Sequence, residues 1–163
     1  MQKQNLKKFV FISAIFISSA LYADATTSPP KIYDHYFSLG SAYYNDSGAL
    51  VIHNKKRTII LGKDQFIGFG FNYLASKKNP VFVLKMILPE KVKSHALPGY
   101  SSNVIISKAG QVTYVYTKPV QSGLHNLQQA IRLTDGDPAG VWKFEFYIDG
   151  HLLKTAMINV VSS

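Results

Sequence analysis

The feature that most narrows the fold of this chain is a two-residue alternation of apolar and polar side chains, clearest near the C-terminal end. Trp142, Phe144, Phe146 and Ile148 alternate with Lys143, Glu145, Tyr147 and Asp149. Successive side chains of a β-strand leave on opposite faces, so the pattern turns one face to a dry interior and the other to water. Asp149-Gly150 follows, a pair suited to a tight hairpin because both residues accept positive φ. Leu152 to Val161 then returns as a second strand, with Ala156, Ile158 and Val160 on one face.

The same reading extends upstream. Val112, Tyr114 and Tyr116 alternate with Thr113, Val115 and Thr117, and Pro119 closes that strand because proline cannot donate to a ladder. Val104 to Ser107 is a short apolar run, joined to it by a turn at Ala109-Gly110. Val81 to Leu88 is apolar at nearly every position and ends at Pro89, the pattern of a strand buried on both faces. Phe66 to Leu74 sets Gly68 and Gly70 between aromatics, which predicts local bends or a close backbone approach. Ile32 to Leu39, Leu50 to His53 and Thr58 to Leu61 complete the set. Leu124 to Leu133 would tolerate helix at its Gln128-Gln129-Ala130 centre, but Leu127, Gln129, Ile131 and Leu133 also alternate, and it reads as strand. The longest irregular stretches are Glu90–Asn103 and Thr134–Gly140. About eight or nine short strands, with turn signals every 8–12 residues or so, predict an all-β sandwich.

The N-terminus carries the three parts of a secretory signal in order. Lys3, Lys7 and Lys8 are followed by an apolar or small-residue run from Phe9 to Leu21, then by small residues at Ala23 and Ala25. Cleavage after either alanine is open. The apolar run is shorter than the roughly 20 residues a membrane-spanning helix needs, so a removed signal over 1–23 is expected, with a Thr/Ser/Pro linker over 24–30 and the domain over 31–163. The chain has no cysteine. A lipoprotein, disulfides, thiolate chemistry and cysteine-held metals are thereby excluded, and a mature chain of about 140 residues is large enough to bury a core without such staples. Removing residues 1–23 takes away three lysines and no acid, lowering the formal charge from +9 to +6. Moderate positive charge suits contact with anionic surfaces and equally suits plain solubility.

Asp137-Pro138-Ala139-Gly140-Val141-Trp142, the alternating strand and Asp149-Gly150 together resemble the closing hairpin of exported bacterial immunoglobulin-like domains, several of which are known only as domains of unknown function. The resemblance covers roughly the last quarter of the chain. It implies a single immunoglobulin-like β-sandwich of about seven to nine strands. In it Pro138 and Gly140 would shape a turn, Trp142 would plug one end of the sandwich, and Gly150 would complete the hairpin. The ending Met157-Ile158-Asn159-Val160 lacks the aromatic usual there. No catalytic residue comes with the resemblance, since fold does not imply function.

Candidate chemistry is sparse. His35, His53, His95, His125 and His151 show no metal-ligand spacing and read as surface or structural histidines. Met86 and Met157 read as core filler. Asp135 and Asp137 flank Gly136; a turn explains them better than calcium, because further oxygen ligands are missing. Nucleophile signatures are absent: there is no G-x-S-x-G. Ser28-Pro-Pro-Lys31 cannot be helical, and Ser94-His95 side chains point apart. Gly68-Phe69-Gly70 precedes no helix, so it is no phosphate loop.

No cofactor and no metal are expected. Two surfaces remain. Lys55-Lys56-Arg57, Lys77-Lys78 and Lys91/Lys93 would form an anion-binding patch if they met on one face, although the first two look like hairpin loops. Tyr100 with Tyr43 and Tyr44 would form an aromatic contact surface. The chain is therefore read as an exported, periplasmic or extracellular, non-enzymatic binding or adaptor module. Its partner is an unidentified protein or envelope ligand, met through end loops or an edge strand. The competing reading is an envelope anion-surface binder for lipid head groups, lipopolysaccharide or nucleic acid, of which nucleic acid is the least expected.

Overall fold

The structure is a computed structural model that describes residues 28–53, 57–62, 66–90, 97, 99–106 and 111–162. Two sheets pack face to face. The first is centred on β5 (Phe66–Ala75). One side of β5 pairs with β9 (Gly123–Arg132) along its whole length. Its other side pairs with β1 (Lys31–Ile32) and then β2 (Ser38–Tyr44), and β3 (Leu50–His53) lies outside β2. The second sheet runs β4 (Thr58–Ile60), β11 (His151–Val161), β10 (Gly140–Ile148), β6 (Val81–Leu88), β8 (Val112–Pro119), β7 (Ser101–Ile106). All pairs are antiparallel except β4 with β11.

The alternation seen in the sequence builds the core. Ile67, Phe69, Phe71 and Tyr73 of β5 face Phe82, Leu84 and Met86 of β6 and Trp142, Phe144 and Phe146 of β10, all buried. Phe146 is the hub: its ring lies 5.3 Å from Phe69 and 5.7 Å from Phe71, both edge-on. Edge-to-face packing sets the positive rim of one ring against the negative face of the next.

The C-terminal hairpin forms as its residues dictate. Asp149 and Gly150 take φ of 48° and 79°, and the Asp149 carboxylate accepts the Val81 N–H at 3.0 Å, tying the turn to β6. Trp142 is fully buried, and its indole N–H donates to the Pro138 carbonyl at 2.9 Å. Gly140 has φ of 130°, and a methyl group there would stand 3.1 Å from the Pro89 ring. Leu153 is an extra residue between the pairs Phe146–Lys154 and Tyr147–Leu152, a bulge that increases local twist.

Several sequence expectations change. The strand expected over Ile32–Leu39 is broken by a 3-10 turn at Asp34–Tyr36, which turns Phe37 inward to within 5.4 Å of Phe146. That break divides one expected strand into β1 and β2, and the described strand segments number eleven. β6 is fully buried on one face only: Phe82, Leu84, Met86 and Leu88 are buried, whereas Val83, Lys85 and Ile87 are half-buried. Met157 is 55% exposed: it pairs with outward-facing Lys143, whereas Ile158 and Val160 fill the core. Lys77-Lys78 does not close a hairpin, because β5 and β6 lie in different sheets; the hairpin expected at Lys55-Lys56 lies outside the described residues. The expected Ala109-Gly110 turn lies outside the described residues.

Candidate functional site

Sandwiches leave edge strands, whose unpaired N–H and C=O groups can template another chain. Among the described residues β7 is such an edge, paired only with β8. Every one of its six residues is exposed, and Val104, Ile105 and Ile106 are 45%, 54% and 57% exposed. Its sequence, Ser-Ser-Asn-Val-Ile-Ile, has neither a charge nor a proline to blunt the edge. The Val104 N–H is held by the Asn103 side-chain oxygen at 2.8 Å. It therefore faces the open edge, and strand alternation turns the N–H groups of Ser102 and Ile106 the same way.

At the Ser101 end of β7 a groove of about 510 Å³ opens between β8 and β9, lined by Tyr73, Lys118, Gln121, His125, Asn126 and Leu127 among others. Lys118 shares the inward-facing parity of Tyr114 and Tyr116 but lies past the end of the core. Its ammonium stands 5.2 Å from the centre of the Tyr100 ring, and a methyl group on Gly99 would come within 4.0 Å of it. The cation thus sits beside the residues that lead into β7. The Tyr73 hydroxyl donates to the Gln121 carbonyl at 3.1 Å, and His125 Nε2 donates to the Ser122 carbonyl at 3.0 Å. These bonds fix the floor. Burial pushes the Tyr100 phenol up to about 12.

The outer face of the second sheet carries a separate polar network. Lys143 Nζ lies 2.6 Å from Glu145 Oε1, the Tyr147 hydroxyl donates to Glu145 Oε2 at 2.7 Å, and Lys85 Nζ lies 4.7 Å from the Tyr147 ring. The Lys143 bond, then the Tyr147 bond, lower the Glu145 carboxyl below its ordinary range. The Glu145 bond, with burial, pushes the Tyr147 phenol up to about 12.

Those sequence-derived candidates that are described lie in different parts of the sandwich. Arg57 is exposed, and its carbonyl accepts the Asn159 N–H near the end of β11. Lys77 lies 3.7 Å from Asp149, just before the start of β11, with Lys78 exposed beside it. Lys55, Lys56, Lys91, Lys93 and His95 lie outside the described residues. Tyr43 stacks on His53 at 5.4 Å and Tyr44 meets Phe66 edge-on at 5.6 Å, at the start of β5. Tyr100 meets Phe82 and Lys118 near the other end of that strand, so the three tyrosines do not form one surface. The Asp137 carboxylate accepts the Thr134 N–H at 2.6 Å, the work of a turn residue. Among the described residues no cluster of three metal-ligating side chains occurs, and no helix is long and apolar enough to cross a membrane. Sequence reasoning missed Lys118 and the groove; the signal for β7 was a strand-length run with no charge beside a long irregular segment.

The architecture is that of an immunoglobulin-like β-sandwich. It is similar to the crystal structure of an immunoglobulin-like protein from Pseudomonas aeruginosa, at 13% identity over 83% of this chain and 98% of that one, with a TM-score of 0.51. Weaker likenesses include a DNA-bound alkylpurine DNA glycosylase from Pseudomonas fluorescens (14% identity, 82% of this chain, 31% of that one, TM-score 0.46). Another is a cohesin module of a Clostridium perfringens glycoside hydrolase (9%, 78% and 99%, TM-score 0.32). No family model and no curated protein matches the chain.

Proposed function

We propose that this protein is an exported, non-enzymatic binding module that captures an extended segment of a partner protein by strand addition along β7. The observation that carries this reading is an edge strand exposed along all six residues, ending in three apolar side chains and lacking the usual protections. Main-chain pairing supplies affinity in such complexes, and alternate side chains supply selectivity. Among the described members of the basic clusters, Arg57 and Lys77 lie toward opposite ends of β11, and no observation favours the anion-surface alternative over strand addition.

The test is selection of random heptapeptides on the immobilised mature protein, in two libraries. One displays each peptide with a free C-terminus, and the other follows it with a fixed linker. Apolar, alternating sequences are expected in at least one library, and their binding should vanish in Val104→Pro. That variant removes an N–H on the open edge and leaves the β8 ladder intact. Failure of both libraries to enrich any such sequence sinks strand addition.

A further inference from the structure

The groove at the end of β7 has a feature that strand addition alone does not require: an ammonium with no acidic partner among the described residues. None of its lining residues is acidic, and among the described residues no carboxylate lies within ion-pair distance of Lys118. The ammonium rests over the Tyr100 ring and beside Gly99, at the point where the chain enters β7. His125 adds an imidazole to the same groove, held there by its bond to Ser122.

Chain direction connects this cation to the edge. β7 runs from Ser101, at the groove, to Ile106, away from it. A strand added antiparallel to β7 runs the other way and ends at the groove. Every other pairing in this sheet is antiparallel except the short β4–β11 contact, and antiparallel ladders are slightly the more stable per residue. A segment added in the parallel sense would bring its N-terminal side to Lys118, and a free ammonium there would be repelled. The same charge therefore favours one orientation and one kind of chain end.

Resting on the strand-addition reading, we infer that the partner segment is a protein C-terminus: an extended apolar tail pairs antiparallel with β7 and places its terminal carboxylate on Lys118 in the groove between β8 and β9. Val104 and Ile106 receive its side chains on the inner side of the sheet, where the facing sheet leaves them uncovered. A carboxylate bonded to an ammonium in a partly dry groove is a charge-assisted contact, stronger than a neutral hydrogen bond. The span of β7 limits the ordered tail to about six or seven residues, at roughly 3.3 Å of rise each.

The two-library selection separates the two ideas. Enrichment at least about tenfold stronger in the free-carboxyl library is expected, a factor that corresponds to one well-formed charged contact. The best peptide, made as free acid and as C-terminal amide, should bind about tenfold more tightly as the acid. Lys118→Met, which keeps a flexible chain over Tyr100, should erase that difference between acid and amide. A nitroxide on the first residue of the peptide should broaden the Ile106 amide resonance and spare that of Ser101. Equal binding of acid and amide to the wild-type protein overturns carboxylate capture while strand addition stands. Broadening at Ser101 overturns the orientation. A β7-dependent dimer in solution that excludes every peptide assigns the edge to a second copy of this chain and overturns both.

Discussion

Gly68 offers the sharpest test of the packing. It lies in β5 between Gly40 of β2 and Ala130 of β9, so its backbone is held from both sides. A methyl group there would stand 2.5 Å from Ala42 Cβ and 2.9 Å from Ile52 Cγ1. Carbon atoms prefer separations of about 3.5–4.0 Å, so the overlap with Ala42 is about 1 Å. Ile52 can rotate away, but Ala42 Cβ is fixed to the backbone, and relief requires β2 and β5 to separate. Overpacking of this kind typically costs about 1–3 kcal/mol, and Gly68→Ala is placed at about 2–3 kcal/mol. With an m-value of about 2 kcal/mol/M, the urea midpoint falls by about 1 M or slightly more. Tryptophan fluorescence reads the transition, because Trp142 is the chain's single tryptophan and is buried. Adding Ala42→Gly removes the obstructing atom, so the double variant should recover about 1 kcal/mol or more relative to additivity. Gly136, where an added methyl group would meet nothing within 4 Å, should tolerate alanine within about 0.5 kcal/mol. A Gly68→Ala protein as stable as wild type, or a double variant that shows no coupling, would refute the argument.

Other perturbations follow from named contacts. Trp142→Phe removes the bond to the Pro138 carbonyl and part of a fully buried ring; a loss of about 2 kcal/mol in urea unfolding is expected. Asp137→Ala leaves the Thr134 N–H without its carboxylate partner and should cost about 1–3 kcal/mol by the same assay. The Glu145 carboxyl is held below its ordinary range, so its contribution to stability is complete above about pH 5 and lost as pH falls through its lowered folded value. Glu145→Gln should therefore flatten the acid limb of a stability–pH profile, and an unchanged limb would count against the network. Tyr147 is pushed up to about 12 chiefly by Glu145; in ultraviolet titration the same substitution should return one phenol toward an ordinary value of about 10.

What the sequence disclosed was local. The β10–β11 hairpin was legible because alternation and Asp149-Gly150 act within a few residues of one another. Close approach at Gly68 was legible as a requirement, yet its agents, Ala42 and Ile52, lie in other strands. The parallel pairing of β4 with β11 joins Thr58 to Asn159, far apart along the chain, and nothing in Thr58-Ile59-Ile60 announces it. Met157 misled because apolar character was read as burial, whereas the parity of Ile158 and Val160 decides which face is inside. The groove was illegible for a related reason: Tyr73, Lys118 and His125 come from three strands and meet only once β8 and β9 are set in different sheets.

The edges explain why β7 is the place to look. Among the described strands the second sheet ends at β4 and β7, and the first at β3, β9 and the two-residue β1. β3 and β4 are only four and three residues long, too short to template much. β9 is long, but apart from Leu124 its exposed outer residues, Asn126, Gln128 and Arg132, are polar, and charge and shortness are the usual defences of an edge. β7 has neither, and its inner residues Val104 and Ile106 lie beside Tyr114 and Val112 yet remain exposed. A tail laid along β7 would extend the ladder and cover those two side chains in one step, so binding and stability become linked quantities. At a roughly hundredfold excess over its dissociation constant a ligand raises stability by about 2.7 kcal/mol. A peptide that binds yet leaves the urea midpoint unmoved at that excess would have to bind the unfolded chain equally well, which a strand paired to β7 cannot do.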